Sequence, residues 1–218
     1  MSITVPAFHI LFAIALFALS VVTTYVVLRL GILDEPNHRS SHDQPTPSTG
    51  GIAIFVAFVG GFATVWFVSD EARLSAFHLA GFAVAATGIA SVGFLDDLNK
   101  LKTFKIKLAA QVAAAMMLLV FGIVFSRVSL PVIGAFDLGW LGYPLTVIWV
   151  VAMTNIFNFM DGLNGLAGGV AVTVAAFLCA VTYIEGSFFV YILCYVMAAS
   201  AAGFLLFNFP KARLFMGD

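Results

Sequence analysis

The 218-residue chain is 62% hydrophobic and only 10% charged, with a net charge of −1. A soluble domain carries roughly 45–50% apolar and about 25% charged residues, so this balance excludes one and predicts an integral membrane protein. The net charge itself says nothing about nucleic acid, since the distribution of charge matters more; no nucleic-acid partner is expected.

In chain order, seven apolar runs are long enough to cross a bilayer: about Ala7–Leu30, Gly50–Ser69, Ala76–Leu95, Leu108–Ser126, Leu138–Asn155, Leu166–Tyr183 and Phe188–Phe207. The first is too long for the core of a signal peptide and has no positive residue before it, so it is expected to remain as an anchor. The fifth carries Pro144, and the Pro- and Gly-containing connection Arg127–Asp137 before it is expected to form a hairpin or a surface turn. Cys179 and Cys194 lie inside apolar runs and read as small membrane-core residues, not as a disulfide or a metal pair. No internal repeat or linker divides the chain, so residues 1–218 read as a single integral-membrane domain. The expected fold is all-α, a polytopic helix bundle with about seven transmembrane helices.

Basic residues set the orientation. With the N-terminus outside, the inner connections hold Arg29, Arg39, Lys100, Lys102, Lys105, Lys107, Lys211 and Arg213, and the outer ones hold only Arg73 and Arg127. The C-terminus is then cytoplasmic. The same topology brings Asp34–Gly51, the Asp96–Asp97 pair, Asn155–Asn164 and Asp218 to the inner face, as an active site at a membrane surface requires. A transporter would instead place charged groups near the bilayer midplane.

Asn155, Asn158, Asp161 and Asn164 recur every three residues within NIFNFMDGLNGLAGG. On a continuous helix they form one oblique polar stripe; alternatively, they mark a polar helix end before a loop. A carboxylate at mid-bilayer costs roughly 2.5–3.5 kcal/mol on insertion scales, so Asp161 needs water, a cation or a ligand. Asp96–Asp97 ends an apolar span and precedes four lysines, which also suit an anchor on anionic lipid. A helix starting near Gly50 would aim free N–H groups at the cytoplasm, an arrangement suited to phosphate. His38 and His42 are four apart without a surrounding helical pattern, which argues against zinc. Oxygen-only ligands from Asp and Asn favour Mg²⁺ or Mn²⁺, and clustered carboxylates beside basic residues point to phosphoryl transfer on a diphosphate.

Four motifs carry a resemblance. DEPNHRSSHDQPTPSTGG, GFLDDLNKL, NIFNFMDGLNGLAGG and FNFPKARLFMGD occur in the order found in the polyprenyl-phosphate N-acetylhexosamine-1-phosphate transferase superfamily, and together they span Asp34 to Asp218. The wording NFMDG and FNFP is most similar to the bacterial branch that starts O-antigen or related surface glycans and cell-wall polymers.

The resemblance implies transfer of a HexNAc-1-phosphate from a UDP-sugar to undecaprenyl phosphate, with release of UMP, at the cytoplasmic face of the inner (plasma) membrane. Direct attack by the lipid phosphate is the expected route, since holding the two anions together on a metal supplies most of what the reaction needs. The resemblance implies that Asp96 takes the proton from the lipid phosphate, that Asp97 places that phosphate, and that Asp161 supports the nucleotide-sugar site. It places Asn158 and Asp218 on Mg²⁺, and His42, Thr46, Lys105, Asn155 and Asn164 on the substrates. Membrane lipid surrounds the protein, and a homodimer is compatible with the pattern. The contrasting class is a non-catalytic protein that binds a polyprenyl lipid or carries a substrate across.

Three departures stand out. Asn164 occupies a position where most bacterial members have Asp, and Ser48–Thr49 replaces an Arg-Gly often seen before the paired glycines. Family chains also continue past MGD through further helices to a late His-containing motif. The chain is therefore expected to be a fragment without detectable transfer of its own.

Overall fold

The computed structural model describes residues 4–30, 33–34, 46–68, 76–97 and 103–217. Seven helices account for most of them: α1 (Thr4–Leu30), α2 (Gly51–Val68), α3 (Ala76–Asp97), α4 (Phe104–Val120), α5 (Gly142–Met160), α6 (Leu166–Ile184) and α7 (Phe188–Asn208). The only strands described are two short antiparallel pairs, β1 (Leu33–Asp34) with β2 (Thr46–Pro47), and β3 (Arg127–Leu130) with β4 (Gly134–Asp137). The fold is all-α and multi-spanning, as expected. Apolar runs of this length become helices because lipid offers the backbone no hydrogen-bond partner, and a helix satisfies its own N–H and C=O groups.

Six of the seven helices are long and apolar enough to cross a membrane. The exception, α4, has 17 residues, about 26 Å at 1.5 Å per residue, against a hydrocarbon core of about 30 Å. It stops at Val120, before the expected Ser126, because the chain turns at Phe121–Gly122 and the Ile123 N–H returns to the Leu118 carbonyl at 2.9 Å. The fifth span also differs from expectation. Its helix begins at Gly142 and not at Leu138, preceded by a short 3₁₀ turn at Gly139–Leu141. Pro144 thus falls in the first turn, where its missing N–H breaks no helical bond.

The chain forms two compact units. The first comprises Met1–Arg73 and Met160–Asp218. Within it α1, α2 and α6 all pack on α7. Small residues allow α1 and α7 to approach closely: fully buried Ser20 donates to the Ser200 carbonyl at 2.6 Å. The core gathers Val27, Ile54, Phe204 and Leu214, with Leu28, Ile52, Met197, Phe207 and Met216 packed against it. Leu214 and Met216 lie beyond α7, so the segment after that helix folds back into the core.

The second unit is Leu74–Phe159. There α3 packs on α4, and the β3–β4 hairpin leads into α5, so of the hairpin or surface turn expected at Arg127–Asp137 the hairpin is the one formed. The hairpin base is tied to α5: the Phe125 N–H donates to Thr146 Oγ1 at 3.0 Å, and Thr146 itself donates to the Gly142 carbonyl at 2.7 Å.

Candidate active site

In the first unit, three motif segments are laced into one structure. Helix α5 ends at Met160, and residues 161–165 form a turn before α6. The four-residue polar stripe on one continuous helix is therefore not formed. Asn155 and Asn158 occupy the last turns of α5, whereas Asp161 and Asn164 belong to the turn. The turn closes at Gly165, the residue before α6, which adopts φ 70, a left-handed conformation that glycine enters without steric cost. A Cβ there would also lie 2.7 Å from the Phe209 ring.

Three polar groups of this turn reach the end of α7 or the segment after it. Buried Asp161 accepts the Gly217 N–H on Oδ2 at 2.8 Å. Asn164 Oδ1 accepts the Ala212 N–H at 3.1 Å, and the Gly165 N–H donates to Asn208 Oδ1 at 2.9 Å. Asn208 is 0% exposed and uses its amide nitrogen as well, donating to the Leu214 carbonyl at 3.0 Å. The Arg213 N–H closes the loop by donating to the Phe207 carbonyl at 2.8 Å.

The loop before α2 binds the other edge of that segment. Phe215 N–H donates to the Pro47 carbonyl at 2.7 Å, Gly50 N–H to Phe215 O at 2.9 Å, and Gly51 N–H to Met216 O at 2.6 Å. This corrects the expectation that the N-terminus of α2 faces a phosphate. Two of its leading N–H groups are consumed by protein carbonyls, and the next two return to Thr49 O and Gly50 O. The paired glycines are needed for this close approach: a Cβ on Gly50 would lie 2.7 Å from Phe215 O, and one on Gly51 2.9 Å from Met216 O. Residues 215–217, the FMG of the FMGD motif, are thus gripped from both sides.

The second unit holds the aspartate pair. Asp96 and Asp97 are half-buried at the end of α3, and Asp96 Oδ2 lies 3.2 Å from Lys107 Nζ on α4. One turn further along α4, buried Gln111 accepts a 2.6 Å hydrogen bond from Asn155 Nδ2, which also donates to the Val151 carbonyl at 2.8 Å. The end of α3, the start of α4 and the last turns of α5 therefore carry the polar groups of this unit.

The sequence-derived residues fall as follows. Asp161 is joined to Gly217 and Asn164 to Ala212, both on the segment after α7; Asp96 is paired with Lys107, Asn155 with Gln111. Asn158 is half-buried near the end of α5, Lys105 is exposed in the first turn of α4, and Thr46 is half-buried opposite Asp34 in the β1–β2 pair. His42, His38 and Asp218 lie outside the described residues. Sequence reasoning missed Asn208 as a bridge, Lys107 as the partner of Asp96, and Gln111. The last two had a signal: Lys107 and the lone Gln111, four apart, share one face of a helix that is apolar beyond its first turn.

Among the described residues no group of three or more His, Cys, Asp or Glu is arranged to hold a metal ion. The donors that are present suit a hard cation. Asp and Asn side chains offer oxygen, and the hydroxyl of Thr49, buried without a hydrogen-bond partner among the described residues, adds another oxygen beside the FMGD segment.

Comparison with known proteins gives concordant matches. Residues 79–218 match the family described as glycosyl transferase family 4. The chain is 35% identical over 211 residues to the probable undecaprenyl-phosphate N-acetylglucosaminyl 1-phosphate transferase of Bacillus subtilis, covering 95% of this chain and 57% of the relative. It is 32% identical over 206 residues to the decaprenyl-phosphate N-acetylglucosaminephosphotransferase of Mycobacterium tuberculosis, covering 87% and 50%. Against the undecaprenyl-phosphate alpha-N-acetylglucosaminyl 1-phosphate transferase of Escherichia coli K12, identity is 28% over 199 residues, covering 88% and 52%. The chain thus spans about half the length of these relatives.

Proposed function

Because the chain belongs to glycosyl transferase family 4, we propose that it serves the transfer of a HexNAc-1-phosphate, GlcNAc or a related sugar, from a UDP-sugar to undecaprenyl phosphate. In this reaction an oxygen of the lipid phosphate bonds to the sugar-bearing phosphorus. The bridge between the two phosphorus atoms of the UDP-sugar breaks, and UMP leaves. The reaction runs at the cytoplasmic face of the inner membrane and initiates a surface-glycan or cell-wall polymer. The observation that carries this reading is the clasp on Phe215–Gly217: Asp161, Asn208 and the Pro47–Gly51 loop fix the backbone immediately before Asp218.

Each residue has a part in this reading. Asp96 accepts the proton of the lipid phosphate on its carboxylate, one oxygen of which is oriented by Lys107. Asp97 places that phosphate, and Asp161 supports the nucleotide-sugar site through the Gly217 N–H. His42, Thr46, Lys105, Asn155 and Asn164 contact the substrates. We assign Asn158 and Asp218 to Mg²⁺, with Mn²⁺ as a substitute, on the strength of their motifs. When bound, the cation neutralises diphosphate charge and polarises the phosphorus–oxygen bonds. The protein's own contribution is to position two anions that would otherwise repel each other.

The test follows phosphorus. Membranes carrying the protein in its native gene context are given UDP-GlcNAc labelled at the sugar-bearing phosphate, together with undecaprenyl phosphate. The label should enter the lipid extract with an equal amount of unlabelled UMP. Release of UDP, with sugar but no label in the lipid, would rule the reaction out.

A further inference from the structure

The β3–β4 hairpin has no part in the chemistry above, yet its composition is unusual for a turn in water. Its tip runs Leu130–Pro131–Val132–Ile133; Pro131 is an ordinary turn residue, but Val132 and Ile133 stand where turns normally place Gly, Asn, Asp or Ser. Val132 is fully exposed at 106% of its reference area and Ile133 is 74% exposed. Val132 also adopts φ 74, the one non-glycine residue with positive φ among those described. A β-branched side chain is strained in that conformation, whereas Gly or Asn would fit. The sequence therefore keeps an apolar residue against both backbone preference and hydration.

Beyond its base, the hairpin is little covered by the described residues. All four residues of β4 are exposed, as are three of the four in β3. An isolated two-stranded hairpin is at best marginally stable in water. Its surroundings in the second unit are those of a membrane boundary. The base is fixed to the first turns of α5, which begins a candidate span at Gly139–Met160. Exposed Trp140 and Tyr143 stand at that same end, as residues at a lipid–water interface commonly do. The charged groups, Arg127 and Asp137, pair at 3.0 Å at the base, away from the tip.

We propose that the β3–β4 hairpin is a membrane anchor: its tip, Leu130–Ile133, inserts into the headgroup–acyl boundary beside α5. This leaflet lies at the end of the second unit opposite to Asp96 and Lys107. Lipid removes the hydration cost of the apolar tip and supplies the surface that the bare hairpin lacks. The occupant is bilayer lipid, continuous with the lipid that surrounds the α5 span.

A depth measurement tests this in the full chain, reconstituted in phosphatidylethanolamine–phosphatidylglycerol vesicles. Nitroxides are placed singly by Val132→Cys, Ile148→Cys on the exposed face of α5, and Glu185→Cys in the exposed α6–α7 turn. Cys179 and Cys194 are replaced by Ala throughout. The Val132 label should favour oxygen over a water-soluble nickel relaxant by several-fold more than the Glu185 label, approaching the Ile148 value. A ratio equal to that of Glu185 would overturn the proposal. So would shielding from both relaxants, which would mean that protein, such as a second copy of the chain, covers the tip. Val132→Asn gives an independent sign in vesicles without any label. Asn relieves the backbone strain, so a tip in water should unfold at a higher temperature, whereas a tip in lipid should unfold at a lower one. A rise in the unfolding temperature would refute the anchor.

Discussion

Asn208→Ala is the most informative single substitution in the clasp. The side chain is 0% exposed and bridges two motifs, accepting from Gly165 N–H and donating to the Leu214 carbonyl. Truncation leaves both backbone groups without their partner in a region closed to water. Each unsatisfied group costs about 1–3 kcal/mol, so the pair amounts to about 2–6 kcal/mol. With roughly 2–4 °C per kcal/mol as the scale for a chain of this size, the midpoint should fall by about 4–24 °C. The assay is thermal unfolding in detergent with a thiol-reactive dye, since Cys179 and Cys194 are both free and half-buried. Asn208→Asp should be no better: it keeps the acceptor for Gly165 but sets a carboxylate oxygen against the Leu214 carbonyl. Asn164→Ala loses one exposed bond to Ala212, worth about 0.5–1.5 kcal/mol, and should shift the midpoint far less. If Asn208→Ala unfolds with the wild type, or no lower than Asn164→Ala, the clasp does not hold the FMGD segment.

Gly50→Ala forces a methyl group to 2.7 Å from Phe215 O, so it should cut transfer at least tenfold in the membrane assay. Gly88→Ala, with nothing within 4 Å of the new Cβ, should leave transfer unchanged. Lys107→Met removes the charged partner of Asp96; a charge-assisted bond worth about 1.5–3 kcal/mol corresponds to a loss of about 10–100-fold in kcat/KM, measured by steady-state kinetics. EDTA should stop UMP release and Mg²⁺ or Mn²⁺ should restore it, with chelator-resistant turnover counting against a metal-assisted reaction.

The spans were legible because length and apolarity alone decide whether a helix fits a bilayer. The Arg127–Asp137 hairpin was legible because Pro and Gly sit between two blocks that read as helix. The ends of elements were less so. Asn155, Asn158, Asp161 and Asn164 are spaced as a helix would space them, yet α5 ends at Met160, between the first two and the last two, and Gly165 in the left-handed conformation closes the turn only after the fourth. The N-terminus of α2 was misread for a different reason. Its Gly50 and Gly51 N–H groups look free in the sequence, and the carbonyls of Phe215 and Met216 that occupy them come from the far end of the chain. Asn208 was missed likewise: a single Asn ending an apolar helix gives no local sign that it bridges two motifs.

The central claim is that the aspartates of these motifs serve release of UMP from a UDP-sugar. UMP formed from UDP-GlcNAc in the presence of undecaprenyl phosphate, measured for wild type, Asp97→Asn, Asp218→Asn and Glu185→Gln in matched native-context membranes, tests it most directly. The account predicts abolition by the first two substitutions and full activity with the third. UMP release that survives both Asp97→Asn and Asp218→Asn would contradict it.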